Sequence, residues 1–338
     1  MMDAPIYGRT SFRAQYEEAL QTFLTKEQLS DEEYKKKIGD DIIEAYVKFR
    51  FRPQDFFLFG LKDKDDSERD TFVTDTLKDS VLMEVEGFNK YTDELSDKWR
   101  FYQLVGQFFA REVMNVNRDT PFEEFRLFSK RHPSLFIKQN RESYGHGTFR
   151  VDIANDLEAR AQFSKMNEAG GDWVVEELIE QSAEMAKWNA SSVNTVRICS
   201  FLNKKGYKQI APFMRTGRKG MIVDNGGSGG VMATIDPQTG IINSDGYDEY
   251  GKVFKVHPDS KIPYKGMQIP KWKELIELAE KVHRTMSDHI YIAFDFAYTN
   301  KGWVLVEGNW GQFVCQQTCL KKGFKKEFLE YMYGGSIS

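Results

Sequence analysis

Tyr291-Ile292-Ala293-Phe294-Asp295, followed by Trp303-Val304-Leu305-Val306-Glu307-Gly308-Asn309, is the stretch on which the reading of this chain turns. Each half is an apolar run that ends in hard oxygen ligands. Thr299-Asn300-Lys301-Gly302 between them has turn chemistry, so the pair predicts a β-hairpin. Strand residues two apart share a face, which places Glu307 and Asn309 together. A carboxylate on one strand beside a carboxylate and an amide on the next makes a cradle for Mg²⁺. That ion takes few protein oxygens and fills its shell with water and phosphate. Read alone, the same residues also fit a hairpin with polar ends.

Working outward, the 338 residues suffice for two or three packed units with cores of their own. Charged residues are 29% and the net charge is only −4, so no basic field points to nucleic acid. Cys199, Cys315 and Cys319 are a sparse, odd set that fits a reducing cytoplasm better than a disulfide framework. Cys315 and Cys319 have no second pair to complete a zinc site, and the histidines (132, 146, 257, 283 and 289) show no ligand spacing. The opening Met1-Met2-Asp3-Ala4-Pro5-Ile6-Tyr7 lacks a signal-peptide core, and no run nears the ~20 apolar residues of a membrane span. The expectation is a soluble cytoplasmic protein with no nucleic-acid partner and no membrane span.

Phe12 to Phe23 and Asp31 to Phe49 carry apolar residues at helical spacing, so residues 1–95 are expected to be a mainly helical N-terminal region. Leu95-Ser96-Asp97-Lys98 starts a further helix, with Ser96 or Asp97 as its cap. Strand signals then take over. They are Leu135 to Lys138, a glycine hairpin around Gly145 and Gly147, Asp172 to Ile179, Thr195 to Leu202, Tyr207 to Arg215, Gly220 to Val223 and Gly230 to Ile235. Pro270 to Asp288 reads as one amphipathic helix. Strands mixed with helices in two clusters predict an α+β protein, with lobes at 96–182 and 183–338.

Lys98 near a helix start, Lys138 at a strand end, Gly145-His146-Gly147, Glu176-Glu177-Leu178-Ile179, Arg197, Arg215 and the Asp295, Glu307, Asn309 set follow one another along the chain. In that order they resemble the ATP-grasp superfamily, over roughly residues 95–330. Three stretches resemble more closely its sugar-transfer-associated group, found with polysaccharide and teichuronopeptide biosynthesis genes. They are Ser192-Val193-Asn194-Thr195-Val196-Arg197, His257-Pro258-Asp259-Ser260 with Lys265 to Trp272, and Phe294-Asp295 with Glu307-Gly308-Asn309. The resemblance implies an ATP-grasp fold, two α+β lobes clasping ATP behind the helical region.

It also implies roles. Lys98 and Lys138 would be the phosphate lysines, and lysine suits phosphate as a point charge. Gly145, His146 and Gly147 would form a lid over the phosphates. Glu176, Glu177, Leu178 and Ile179 would be the adenine hinge, with Gln181 on the ribose and Glu184 behind it. Arg197 and Arg215 would face the γ-phosphate and the forming acyl phosphate. Asn225, with the glycines of 224–230, would line the acceptor side. Asp295, Glu307 and Asn309 would hold one or two Mg²⁺, for which Mn²⁺ could substitute. Each residue has a plainer reading beside this one. The lysines also fit a solvated surface, the Gly-x-Gly a β-turn, the hinge acids a solvated strand end, and the arginines ion pairs with nearby acids. Asp224 to Gly230 lacks the Gly-Lys-Ser/Thr ending of a P-loop and also fits a flexible turn. Gln139 follows Lys138 where many family members place proline.

The implied activity is an ATP-dependent carboxylate–amine ligase acting through an acyl phosphate. It would join an amino acid or peptide to an acidic sugar or polysaccharide precursor, so the partners are a saccharide or small-molecule carboxylate and an amine. The alternatives are a sugar or small-molecule kinase on the same cradle, a peptide ligase of a natural-product pathway, and a binding protein without turnover. Homo-oligomerisation is left open.

Overall fold

A computed structural model gives the fold of residues 11–87, 94–142 and 147–334. Its N-terminal part is helical for local reasons. Ser11, Thr25 and Asp31 accept hydrogen bonds from backbone N–H groups at the starts of the helices Phe12–Phe23, Lys26–Ser30 and Glu32–Phe49, and Pro53 opens the helix Pro53–Leu58. Phe12, Ile38, Ile42, Phe51, Phe56, Phe59 and Phe72 close a core between these helices. The helices Asp75–Val85 and Lys98–Val105 pack elsewhere. Val81, Leu82, Phe101 and Val105 belong to the core of the large sheet described below.

Two antiparallel sheets follow. The smaller contains β1 (Val113–Val116), β2 (Ser134–Gln139), β3 (Thr148–Asp152) and β4 (Trp173–Glu177) in the order β1-β4-β2-β3. Leu135, Ile137 and Val175 pack with Phe125 and Phe128 of the helix Phe122–Arg131 and with Ala159 and Met166 of the helix Asp156–Ala169. The larger contains β5 (Thr195–Asn203), β6 (Gly206–Thr216), β7 (Val231–Thr234), β8 (Gly246–Tyr247), β9 (Val253–Phe254), β10 (Tyr291–Thr299) and β11 (Gly302–Asn309), in the order β11-β10-β5-β6-β7-β8-β9. Its central strands are buried on both faces, which explains their near-continuous apolar runs. On β10 the alternation is explicit. Phe294 meets His283 of the helix Trp272–Thr285, while Tyr291 meets Phe313 and Phe328 on the opposite side. One expected strand is absent: Gly220 to Val223 is a turn, with Gly220 at φ +85° and the preceding Arg218 and Lys219 tied to Asp259.

The predicted hairpin forms, with one departure. Phe296 pairs with Leu305 and Asp295 with Glu307, so Val306 is an extra residue, a β-bulge. Without it Leu305 and Glu307, two apart, would share a face. The bulge reverses the alternation. Leu305 stays on the core side with Phe296, and Glu307 turns to the side of Asp295.

Candidate active site

Strand register places a row of charges across the large sheet. Arg197 on β5 lies opposite Asp295 on β10, which lies opposite Glu307 on β11, and Asn309 is next on that face opposite Ala293. Asp295 has no exposed side-chain surface. Its two oxygens accept from Arg197 Nε and NH2, both at 2.6 Å, and from Arg215 NH2 at 2.7 Å. Burial alone would raise the Asp295 pKa. Arg197, and then Arg215, instead hold its carboxyl well below the usual carboxylate range. Glu307 shifts the opposite way, pushed up by burial and by the Asp295 charge beside it. Arg215 also donates to Thr195 Oγ1 at 3.0 and 3.1 Å, and Thr195 Oγ1 donates to the buried Asp224 at 2.6 Å. Neither Thr195 nor Asp224 carried a sequence signal for this role. Both arginines are ion-paired with a nearby acid, which is the plainer of their two sequence readings.

The small lobe contributes a second charge group. Lys138 is buried at the end of β2, with Nζ 2.7 Å from Glu176 Oε1 on β4. Arg111 donates to the other oxygen of Glu176, from Nε at 2.9 Å and NH2 at 2.7 Å. Burial would lift Glu176, but Arg111 and then Lys138 more than offset it and hold the carboxyl low. Glu176 therefore spends its side chain inside the lobe, on its lysine. Arg111 was missed in the sequence because only its distant partners mark it. Locally it follows Ala110, whose φ of +49° swings the chain into β1.

Lys98 opens its helix behind the N-cap Asp97, as the sequence suggested. Its ammonium donates to the carbonyls of Gln139 and Asn140, each at 3.1 Å, and to that of Glu142. It thus braces the chain that leaves β2 toward the glycine loop. Burial pushes its pKa down, and Glu307 is the foremost charge opposing that shift, so the two lie within electrostatic reach across the cleft. Lys138 acts on Glu307 in the same way.

Gly145 and His146 lie outside the described residues. Gly147 adopts φ +65°, and its carbonyl accepts from Gln139 N–H at 3.1 Å, as a loop returning on Lys138 requires. Glu177 ends β4, with its N–H on the Glu112 carbonyl and its side chain on the Glu112 N–H. Leu178 and Ile179 follow, half-buried, just past the last paired residue of β4. A base edge could pair there. Gln181 is engaged within its own neighbourhood. Its amide donates to the Asn189 and Ser192 carbonyls at 3.0 and 2.6 Å, and its oxygen accepts from Asn194 N and Nδ2 at 3.0 and 3.1 Å. It ties down a loop, and its amide is already committed where a ribose contact would need it free. Asn225 precedes the short turn Gly226–Ser228, beside Asp224, without a side-chain cap bond to it.

The donor set fits a divalent cation. Two carboxylates face each other with their charges in conflict, and Asn309 Oδ1, which accepts from Gly311 N–H at 2.9 Å, keeps a second lone pair. Asp295 would reach such an ion by releasing a guanidinium. Among the described residues no three His, Cys, Asp or Glu side chains group as a metal site. Cys315 sits near the arginines, but burial pushes its thiol up to about 11, and it is no thiolate nucleophile at neutral pH.

Residues 127–330, more than half of the chain, match the family described as sugar-transfer associated ATP-grasp. No match was found among curated proteins. Similar solved structures include a D-alanyl-alanine synthetase A from Vibrio cholerae (11% identity, TM-score 0.42, 72% of this chain and 62% of that one). A D-alanine–D-alanine ligase from Bacillus anthracis shows 13% identity and a TM-score of 0.45, over 90% of this chain and 92% of the other. A phosphoribosylamine–glycine ligase from Thermotoga maritima shows 13% identity and a TM-score of 0.47, over 82% and 64%. This chain spans less than two thirds of the Vibrio and Thermotoga proteins. Among the described residues no helix is long and apolar enough to cross a membrane.

Proposed function

The chain belongs to the sugar-transfer associated ATP-grasp family; on that premise we propose that it is an enzyme of that class, an ATP-dependent carboxylate–amine ligase that works through an acyl phosphate. The observation that carries this reading is that Lys98 and Lys138 both act electrostatically on Glu307, which stands beside Asp295 with its Arg197 and Arg215.

Mg²⁺ held by Asp295, Glu307 and Asn309 would supply charge to the β- and γ-phosphates of ATP. Lys138 offers its ammonium to the phosphates, and Lys98 holds the chain that leaves β2 beside it. The backbone of Leu178 and Ile179, just past β4, would pair with adenine. Arg197 and Arg215 hold the γ-phosphoryl group and the substrate carboxylate in line. A carboxylate oxygen attacks the γ-phosphorus and ADP leaves. The amine nitrogen then attacks the acyl carbon, loses a proton, and phosphate leaves. No protein nucleophile is needed, which agrees with the neutral thiol of Cys315. The loop around Gly147 would exclude water from the acyl phosphate. The substrate pair is an acidic sugar or its polymer precursor with an amino acid or peptide, a choice that rests on the family's description. Three free cysteines fit a cytoplasmic setting.

The test is ADP release with Mg-ATP over uronic acids and amino acids, singly and paired, with mass spectrometry of the products. ADP only with both partners, plus a product lighter by one water than their sum, is expected. A phosphorylated product would replace the ligase with a kinase.

A further inference from the structure

Building on the nucleotide reading above, we propose that Arg111 is a positioning residue that couples the phosphate lysine of the small lobe to the metal-bearing strand of the large lobe. Its guanidinium is buried, stacked 4.3 Å from the centre of the Phe109 ring. One edge grips Glu176 Oε2. The other reaches across the lobes to β11. There NH1 donates to the Leu305 carbonyl at 2.7 Å and NH2 to the Val306 carbonyl at 3.2 Å. Those two carbonyls belong to the bulge that turns Glu307 toward Asp295. A lysine has no second edge, so only arginine can serve both partners at once.

The charge count gives the contact its meaning. Lys138 with Glu176 alone is a neutral buried pair. A phosphate could use Lys138 only by drawing it from a carboxylate left alone in a dry site, which is costly. With Arg111 present, the triad of Arg111, Glu176 and Lys138 carries one net positive charge. Glu176 stays served through Oε2 while the ammonium on Oε1 turns to an anion. The same guanidinium fixes the bulge. Occupancy at Lys138 and the aim of Glu307 therefore depend on one group, and nucleotide and divalent cation should strengthen each other's binding through it.

The test is calorimetric ATP affinity with Mg²⁺ and with chelator, in the full chain and in Arg111→Met and Arg111→Lys, with unfolding curves for each. In Arg111→Met, ATP without metal should bind roughly tenfold more weakly, and the gain from Mg²⁺ should shrink by roughly tenfold, in the range usual for coupled sites. Arg111→Lys should recover much of the metal-free affinity, because the charge returns, but not the Mg²⁺ gain. A merely structural role would lower stability and leave the Mg²⁺ gain intact, which would overturn the proposal. If Arg111→Met does not fold, Arg111→Lys and Glu176→Gln decide: wild-type Mg²⁺ gain in both would overturn it. A wild-type chain that binds no ATP under either condition would instead remove the nucleotide reading, and this inference with it.

Discussion

Asp295→Asn and Glu307→Gln each remove one charge from directly opposed positions, yet the structure assigns them unequal costs. Asp295 is fully buried and accepts three charge-assisted bonds, at 2.6, 2.6 and 2.7 Å, from two guanidinium groups. Asparagine would turn an NH₂ donor toward one of those donors and strip the counter-charge from both arginines. Breaking a buried pair in this way costs about 3–5 kcal/mol. Asp224, 3.7 Å from Arg215, remains as partial compensation, so the lower half of that range applies. Glu307 is different. Its side chain is 37% exposed, its contact with Arg197 is 3.9 Å, and its ionised form is opposed by Asp295. Glutamine there removes a repulsion, and solvent screens what attraction is lost, so stability should move by less than about 1 kcal/mol in either direction. Both variants should lose Mg-ATP turnover. The assay pairs denaturant unfolding with ADP release. Equal destabilisation, or a larger loss in Glu307→Gln, would refute the assignment of Asp295 as the buried anchor of both arginines.

Lys138→Met should leave Glu176 paired with Arg111 and weaken ATP binding by roughly ten- to a hundredfold, the worth of a charge-assisted hydrogen bond; unchanged ATP titration would remove Lys138 from the phosphate site. Gly308→Ala would set a Cβ 2.5 Å from the buried Phe101 ring, between Glu307 and Asn309. It should cost about 1–3 kcal/mol by overpacking and lower Mg²⁺-dependent ATP affinity, with Phe101→Leu restoring part of both; a neutral Gly308→Ala would show the hairpin end to be loosely packed. Lys78 is buried, with Nζ donating to the Trp310 carbonyl at 3.2 Å, and burial pushes its pKa from 10.5 down to about 8. Between those values the unfolded chain binds more protons than the folded one, so stability attributable to Lys78 rises with pH across that window, by up to roughly 3 kcal/mol. The stability of wild type relative to Lys78→Met should therefore improve from pH 7.5 to pH 10.5, and a flat difference would refute the shift.

What the sequence made legible was what local chemistry decides. Helical spacing and caps marked the N-terminal helices, and the two apolar runs marked the hairpin with its acidic ends. That the acidic ends of the two runs lie near each other followed from the hairpin, but the pairing of Asp295 with Glu307 did not, since the unbroken register would set Asp295 opposite Val306. Period-two alternation puts Leu305 and Glu307 on one face, and only the bulge at Val306 parts them. Such a bulge depends on tertiary partners, here the Arg111 guanidinium, which lies nearly two hundred residues away in the chain. The same limit applies to Glu176 and Gln181. Their residue types fit a nucleotide hinge, and nothing local tells that one side chain is drawn inward by Arg111 and Lys138 and the other by the carbonyls of a neighbouring loop. Nor does helical periodicity name the core that a helix joins, and so Asp75–Val85 read as part of the N-terminal region while packing on the large sheet.

The balance of charge around the cleft argues for metal–nucleotide chemistry independently of any single residue. Lys98, Lys138, Arg111, Arg197 and Arg215 converge with Asp295, Glu307, Glu176 and Asp224, which leaves one net positive charge. A site built to bind a bare triphosphate would carry a larger surplus, because several anionic charges must be met in a partly dry cleft. A site built to hold only its own ion pairs would not leave Glu307 facing Asp295 with its pKa raised. Both features resolve together if a divalent cation enters at Glu307 and Asn309. It relieves the conflict between the carboxylates and competes with the arginines for Asp295. A guanidinium so released stands one strand away if it is Arg197 and two if it is Arg215. The ion pairs seen here and the catalytic roles proposed for the same arginines are thus two occupancies of one charge network.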